Sequence, residues 1–504
     1  MRETVNAAVF GAGNEMDAFT VAFRIPNLVR DLFAEGAMSA AFVPTFTQYL
    51  TLRGKSDAWR LANNVLTALL IVTGVLVVLG FVFAEPLVTL YAEDYSRVPG
   101  KLALTIRLMR VMLPFLTCIA VAAAAMGILN SLRRYFVPAL APAAFNVVSI
   151  ACALALTPIM PRFGQPRIMA LAVGALLGGV GQVLIQLPLL WRQGFRFKLH
   201  LDVHEPGLRQ VLLLMGPGTL GLAATQVNLL VSTMLAVRQG TGAVSWLQYA
   251  FRLMYLPIGL FGVSIATAVL PAVSRQLASG DLAAMRRTVS RGVALMLVVN
   301  IPAAVGLFTL AVPIVQLLLE RGRFRPSDTI ATAAAVQCYV IGLVGYSAAR
   351  ITSPVFYALR QSRVAVAIST AAIVVNLVLS LTLVRFFGYR GLALATSLAA
   401  CVNGGLSVLF LSRRIGGLDG KRLASTSGRV LVAAAVMAVT VESVSRLMLL
   451  LLTGSGLIQQ ALRLTITIVS GLVMLAAAAK MLRISEAEEL LLEARNRLRD
   501  AFGR

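Results

Sequence analysis

Long apolar runs broken by short polar stretches set the pattern of this chain. A membrane-crossing helix needs about 20 mostly apolar residues. Runs of that length recur near 17–50, 58–92, 102–132, 135–160, 167–191, 207–237, 243–277, 288–319, 329–359, 363–387, 390–412, 428–452 and 459–482. Residues 1–10 are too few for a span and read as the last half of a helix that begins upstream. The pattern predicts an all-α polytopic membrane protein of about 14 transmembrane helices, the first of them truncated. Several runs exceed the bilayer thickness, so tilting or bending is expected. Pro26, Pro44, Pro114, Pro257 and Pro302 are the candidate kinks, because proline removes a backbone donor and clashes with the preceding turn. The tail 484–504 differs: Leu491, Ala494, Leu498 and Phe502 share one face, opposite Glu and Arg. It reads as a cytosolic or interfacial amphipathic helix.

Composition sharpens this reading. Of 504 residues, 58% are hydrophobic and 13% charged, and mean hydropathy is +0.84. No soluble core could hide so much apolar surface. Lys plus Arg number 45 against 21 Asp plus Glu, a net +24. The basic residues cluster in short loops between apolar spans, which explains them by membrane topology and excludes nucleic acid as a partner. The loops near 53–60, 133–134, 192–209, 275–291, 360–363 and 413–429 are richer in Lys and Arg than the alternate set. They are therefore assigned to the cytoplasm, as are both termini. Cys118, Cys152, Cys338 and Cys401 lie singly in apolar spans, which indicates neither a disulfide framework nor a metal site. His200 and His204, four apart in a basic loop, read as solvated rather than as a metal pair. No HExxH, GxSxG or P-loop is present. The expectation is a transporter that is not an enzyme and carries no cofactor.

The chain repeats itself. Ala22-Phe23-Arg24 returns as Ala250-Phe251-Arg252 and Leu32-Phe33 as Leu260-Phe261, both 228 residues on. Pro44 returns as Pro271 and Leu132-Arg133 as Leu359-Arg360, both 227 on. This predicts two six-helix lobes, 1–205 (helices 1–6) and 206–427 (helices 7–12), related by a parallel repeat. Helices 13 and 14 (428–483) and the tail 484–504 stand outside it. Repeat-built transporters place their site between lobes and rock one against the other.

The copies differ in charge. The stretch 11–50 holds Asp17, Arg24, Arg30, Asp31 and Glu35, whereas the span 243–271 keeps only Arg252. An ionised side chain at membrane depth costs roughly 3 kcal/mol or more unless paired or wetted, so such groups face polar cavities. The bland reading puts these charges at helix ends and in interfacial turns. The asymmetry favours a cavity for an anionic ligand, weighted to the first lobe, because guanidinium grips phosphate in a bidentate manner.

GAG-x3-DAF-x-VAFRIPNLVRDLFAEGAMSAAFVPTF, opening at Gly11, resembles the signature of the MurJ/MviN lipid II flippases, members of the multidrug/oligosaccharidyl-lipid/polysaccharide exporter superfamily. LNSLRRYFVPALAPAAFN (129–146), VSWLQYAFRLMYLP (244–257) and VFYALRQSR (355–363) follow in that family's order. The resemblance covers the chain from Arg2 onward. It implies two lobes plus a terminal helix pair flanking a lipid-accessible groove. The implied substrate is lipid II, an undecaprenyl-diphosphate disaccharide-pentapeptide. It would be moved from the inner to the outer leaflet of the bacterial cytoplasmic (inner) membrane for peptidoglycan synthesis and cell-wall biogenesis. It further implies diphosphate-facing arginines at Arg2, Arg30 and Arg252 and an acidic position at Asp17. Glu3, Arg24, Asn27 and Glu35 are supporting or gating positions. Arg24 and Glu35 read equally well as an interlobe salt bridge without ligand contact.

The chain also departs from that family. Its first helix lacks about twenty residues that members carry. Phe251 and Tyr255 stand where some members place acidic residues. Some members bind sodium, and the matching positions are Ser232, Asn376, Ser380 and Thr396. These include no carboxylate, whereas hard cations favour charged oxygen ligands. Sodium coupling is therefore not favoured, and membrane potential is an alternative drive; the coupling ion is left open. Lipid II and membrane lipids are the expected partners, with other cell-wall synthesis proteins as further candidates, and the protein is expected to be a monomer. The alternative function is another exporter of the superfamily, for lipid-linked polysaccharide or for cation-coupled drug export. A drug exporter for cations would line its cavity with carboxylates.

Overall fold

The computed structural model describes residues 1–31, 38–454 and 456–488, and leaves aside the side chains at 29, 38–40 and 216–224. Every element among the described residues is helical. The chain forms two compact units: Met1–Ser245 with Arg321–Phe324, and Trp246–Glu320 with Arg325–Arg504. The first contains α1 (Arg2–Phe10), α2 (Asn14–Arg30), α3 (Met38–Leu52), α4 (Lys55–Val82), α5 (Ala84–Ala92), α6 (Lys101–Met112), α7 (Phe115–Ser131), α8 (Phe136–Leu156), α9 (Met169–Leu184), α10 (Leu187–Arg192) and α11 (Pro206–Val237). Then comes α12 (Ala243–Pro257), whose first turn lies in the first unit. The second unit continues with α13 (Val263–Ala278), α14 (Leu282–Thr309), α15 (Ala311–Leu319), α16 (Pro326–Val340), α17 (Leu343–Ala358), α18 (Ser362–Phe387), α19 (Tyr389–Arg414), α20 (Gly420–Leu451) and α21 (Leu457–Met481). The sequence repeat has its seam at 205/206, but α11 packs on α3, α4 and α5, so it belongs to the first packing unit.

Ten helical stretches are long and apolar enough to cross a membrane. Counting the bent pair Pro326–Val340 and Leu343–Ala358, which meet at 45°, makes eleven. The expected runs 17–50 and 207–237 contain residues outside the description and are not in that number. The prolines act as their chemistry requires. Pro114 separates α6 from α7, and Pro257 ends α12 ahead of a single π turn, Ile258–Gly262. Pro26, Pro44 and Pro302 are carried inside α2, α3 and α14. The first unit packs around Phe42, Phe46, Phe115, Ile128 and Leu129, the second around Val273, Met285, Val289, Val355 and Phe356. Outside these cores, α4 exposes Val75, Val78 and Val82, and α20 exposes Leu449, Leu450 and Leu451. Apolar surface on this scale is stable only against lipid.

The duplication is visible in element boundaries. Both α4 and α14 have 28 residues, and both α5 and α15 have nine. Each member of a pair begins and ends 227 residues after its counterpart. The Leu-Arg pairs found by sequence finish α7 and α17 in the same way. Arg133 and Arg360 sit at φ 58 and 57, in the left-handed region rare for non-glycine residues. The residue after each donates its N–H five positions back, Arg134 to the Leu129 carbonyl and Gln361 to the Phe356 carbonyl. That is the six-to-one bond of a helix-ending Schellman turn.

The loop 195–205 is tied to α4 by an amide ladder. Asn63 Oδ1 accepts the Lys198 N–H, Asn64 Nδ2 donates to the Asp202 carbonyl, and Thr67 Oγ1 accepts the His200 N–H. His200 is thereby half-buried rather than solvated. The amphipathic tail lies outside the described residues beyond 488, but its start is anchored. Buried Glu486 accepts two hydrogen bonds from Arg422, at 3.2 and 2.8 Å, and one from Ser485. Burial pushes the Glu486 carboxyl up, but its own backbone N–H and the Arg422 and Ser485 bonds outweigh this, leaving it below the ordinary value. A carboxyl depressed in the folded state stabilises above its unfolded pKa and loses that contribution as pH falls through the folded value. The thermal midpoint of the purified protein should therefore drop more steeply in acid than that of Glu486→Gln. Superimposable pH profiles would show that the contact contributes nothing.

Candidate functional site

Within the first unit, the most enclosed charges are Asp17 and Lys101, 0% and 4% exposed. Lys101, the first residue of α6, places Nζ 3.0 Å from Asp17 Oδ2. The same oxygen accepts the Gly242 N–H at 2.7 Å. Oδ1 accepts the Ser245 N–H at 3.1 Å and its hydroxyl at 2.7 Å. The Asp17 carboxylate thus caps the N-terminus of α12, whose first N–H groups have no partner within the helix. The Lys101 ammonium also lies 3.9 Å from the centroid of the Tyr95 ring. Tyr91 fastens α5 to α2 through a 2.7 Å bond to the Val21 carbonyl. The two Asp17 oxygens thus meet four protein donors, which latch α2 to α6 and to the first turn of α12.

Beside this latch, the segment Arg321–Phe324 covers the α1–α2 turn. The Arg323 N–H donates to the Ala8 carbonyl at 2.9 Å, and its guanidinium bonds Glu15 at 3.0 Å. Gly11, at φ 70, abuts the Arg323 carbonyl, so a side chain there would collide with backbone.

The expected diphosphate arginines of this unit are already engaged by carboxylates. Arg2 Nη2 lies 2.7 Å from Glu3, with its guanidinium 5.6 Å from the centroid of the Phe145 ring. Arg30 reaches Asp31 Oδ1 through Nε at 3.0 Å and Nη2 at 2.7 Å. The other Asp31 oxygen accepts from Gln226 at 3.2 Å and Asn27 at 3.4 Å. Asp31 was legible in the charged stretch, but its role as the counter-ion was not. Arg24 is half-buried near Tyr91. Glu35 lies outside the described residues.

In the second unit, Arg252 on α12 is exposed. One turn further, Tyr255 accepts a 3.1 Å bond from Arg350 on α17. Phe251 stacks on Tyr255 at 5.9 Å and meets Tyr339 and Tyr346 edge-on, which builds an aromatic wall beside these arginines. Sequence reasoning missed Arg350. The available signal was an arginine at membrane depth in the run 329–359, the same signal that drew attention to Arg30. An apolar cavity of about 460 Å³ lies among α14, α17, α19 and α20, lined by Met296, Leu297, Ala348, Val408 and Leu423. Of the candidate sodium positions, Asn376 and Ser380 are buried on one face of α18, and the Thr396 hydroxyl donates to the Leu392 carbonyl. Ser232 belongs to the first unit.

The repeat gives the latch a counterpart. Asp328 stands 227 residues after Lys101, and it accepts a 2.9 Å bond from Trp246 Nε1. Each unit therefore ties the same two elements together, by an ion pair in the first and by a carboxylate–indole bond in the second. Removing one partner of a buried ion pair typically costs about 3–5 kcal/mol, because a charge stays buried and unpaired. Asp17→Asn should accordingly lower the thermal midpoint of the purified protein strongly. Lys101→Met added to it should restore part of the loss. Additive losses in the double variant would show that the two groups are not coupled.

The comparisons with known proteins agree on a family. The profile described as lipid II flippase MurJ matches residues 6–462. A probable lipid II flippase MurJ of Vibrio cholerae is 34% identical over 413 residues, covering 80% of this chain and 77% of that protein. The lipid II flippase MurJ of Burkholderia cenocepacia is 34% identical over 417 residues, covering 82% and 80%. Among solved structures, a lipid II flippase MurJ in an inward closed conformation superimposes with a TM-score of 0.78, at 24% identity over 95% of this chain and 96% of that one. An inward-facing multidrug transporter of the MATE family gives 0.69, at 18% identity over 83% and 96%. Those two likenesses speak for the fold alone. The profile and the sequence relatives go further, and they show that the chain belongs to the MurJ lipid II flippase family, a family of multi-pass membrane transporters.

Proposed function

We propose that this protein flips lipid II from the inner to the outer leaflet of the bacterial cytoplasmic membrane by alternating access. The observation that carries the reading is family membership over nearly the whole chain, with guanidinium groups at Arg2, Arg30 and Arg252. The diphosphate is the ligand these groups suit, since a planar fork binds phosphate through two parallel bonds. Its entry displaces Glu3 and Asp31 from Arg2 and Arg30, exchanging an internal counter-ion for the substrate's own charge. The polyprenyl tail stays in lipid, and the apolar cavity edged by α20 suits a length of it. Direction comes from unequal affinity of two conformations for the diphosphate.

Losing a charge-assisted hydrogen bond costs about 1.5–3 kcal/mol. Arg30→Ala or Arg252→Ala should therefore reduce lipid II translocation by about tenfold or more in reconstituted vesicles, with the protein still folded. The same substitutions should fail to support growth of cells that depend on this protein. Normal translocation in both variants would remove the site assignment. Exchange of sodium for potassium should leave transport unchanged, whereas collapse of the membrane potential should abolish it. Strict sodium dependence would reverse that assignment.

A further inference from the structure

One pair of intramembrane arginines has no part in the proposed transport. Arg107 and Arg110 stand one turn apart on α6, within the membrane span Lys101–Ser131. With Ala103 they form one stripe of the helix, exposed at 103 and 107 and half-buried at 110. At 1.5 Å per residue, Arg110 Cα lies about 13 Å along α6 from its start. Neither arginine has an acidic partner among the described residues. Two like charges one turn apart also repel each other.

The surroundings orient both groups. The Arg110 guanidinium lies 5.2 Å from the centroid of the Phe81 ring near the end of α4, and its Nε is buried without a hydrogen-bond partner. Arg107 bonds the Gln165 side chain at 3.4 Å. Helical side chains lean towards the helix N-terminus, so both guanidinium groups reach back towards the membrane boundary where α6 begins. Arg162 and Arg167, both exposed, flank Gln165 in the same loop. On the other side, α4 turns Val75, Val78, Phe81 and Val82 outward. The result is a cationic notch at headgroup level beside an apolar helix face of a length suited to an acyl chain.

We infer that this notch is a binding site for an anionic phospholipid. Its phosphodiester sits between Arg107 and Arg110, and one acyl chain lies along α4. The charge pattern selects this occupant. A phosphate relieves the repulsion of the pair, accepts from both donor forks, and leaves its chains on α4. A zwitterionic lipid brings its own ammonium to the same notch and gains less.

The test uses the full-length protein in bilayer nanodiscs. A photoreactive phosphatidylglycerol carrying its label on the acyl chain is compared with the corresponding phosphatidylcholine, and cross-links are mapped by peptide. Labelling of the α4 peptide holding Val75, Val78 and Val82 is expected for phosphatidylglycerol. Each basic residue at an anionic membrane surface contributes about fivefold in affinity, so R107Q/R110Q should weaken that labelling roughly twentyfold. Should the double variant not fold, the exposed R107Q alone should weaken it about fivefold. Inorganic phosphate at millimolar concentration should not compete, which separates a lipid site from a free-anion site. Equal labelling of α4 by the two headgroups, or labelling unchanged in R107Q and R107Q/R110Q, would overturn the assignment, as would full displacement by inorganic phosphate.

Discussion

A carboxylate buried between helices needs partners for every lone pair, and the first unit is arranged around one that has them. Asp17 meets an ammonium, two backbone N–H groups and a hydroxyl within 3.1 Å. These four donors come from three parts of the chain: α6, the approach to α12, and α12 itself. Desolvation makes each of these bonds strong and the loss of any one severe. The helices α2 and α6 and the first turn of α12 are therefore held in register by a group whose removal they cannot easily absorb.

The arginines follow the opposite logic. Arg2 and Arg30 are only half-buried, and each is balanced by the acidic residue next to it in sequence. A pair formed by neighbours in a chain is easily exchanged, because the carboxylate can rotate away without moving a helix. Held in this way, the cations avoid the penalty of naked charge at membrane depth. The buried latch and one of these neighbour pairs thus share α2, with Asp17 in its first turn and Arg30 at its end.

Much of the architecture was legible from hydropathy. The expected runs fall on helices wherever the structure describes them, and the repeat offset read from a few dipeptides reappears in the limits of α4, α5, α14 and α15. Periodicity could not show partnership. Asp17 stood out in the charged stretch, but a sequence gives no sign that Lys101 and Ser245 converge on it from 84 and 228 residues away. His200 looked solvated because nothing local marks the amide ladder of Asn63, Asn64 and Thr67. Arg350 went unremarked although it lies in a long apolar run; its bond to Tyr255 on another helix is what the sequence could not show.

The left-handed arginines that finish α7 and α17 carry one more consequence. Glycine would adopt that backbone without strain, whereas a side chain there costs about 1–2 kcal/mol. In return, each arginine sets a fixed positive charge at the negative end of its helix, out in solvent at the rim of the bilayer. A charge so placed cannot sink and cannot leave its helix. In each copy that turn therefore limits how far its helix can slide into lipid when the surrounding bilayer thins or thickens.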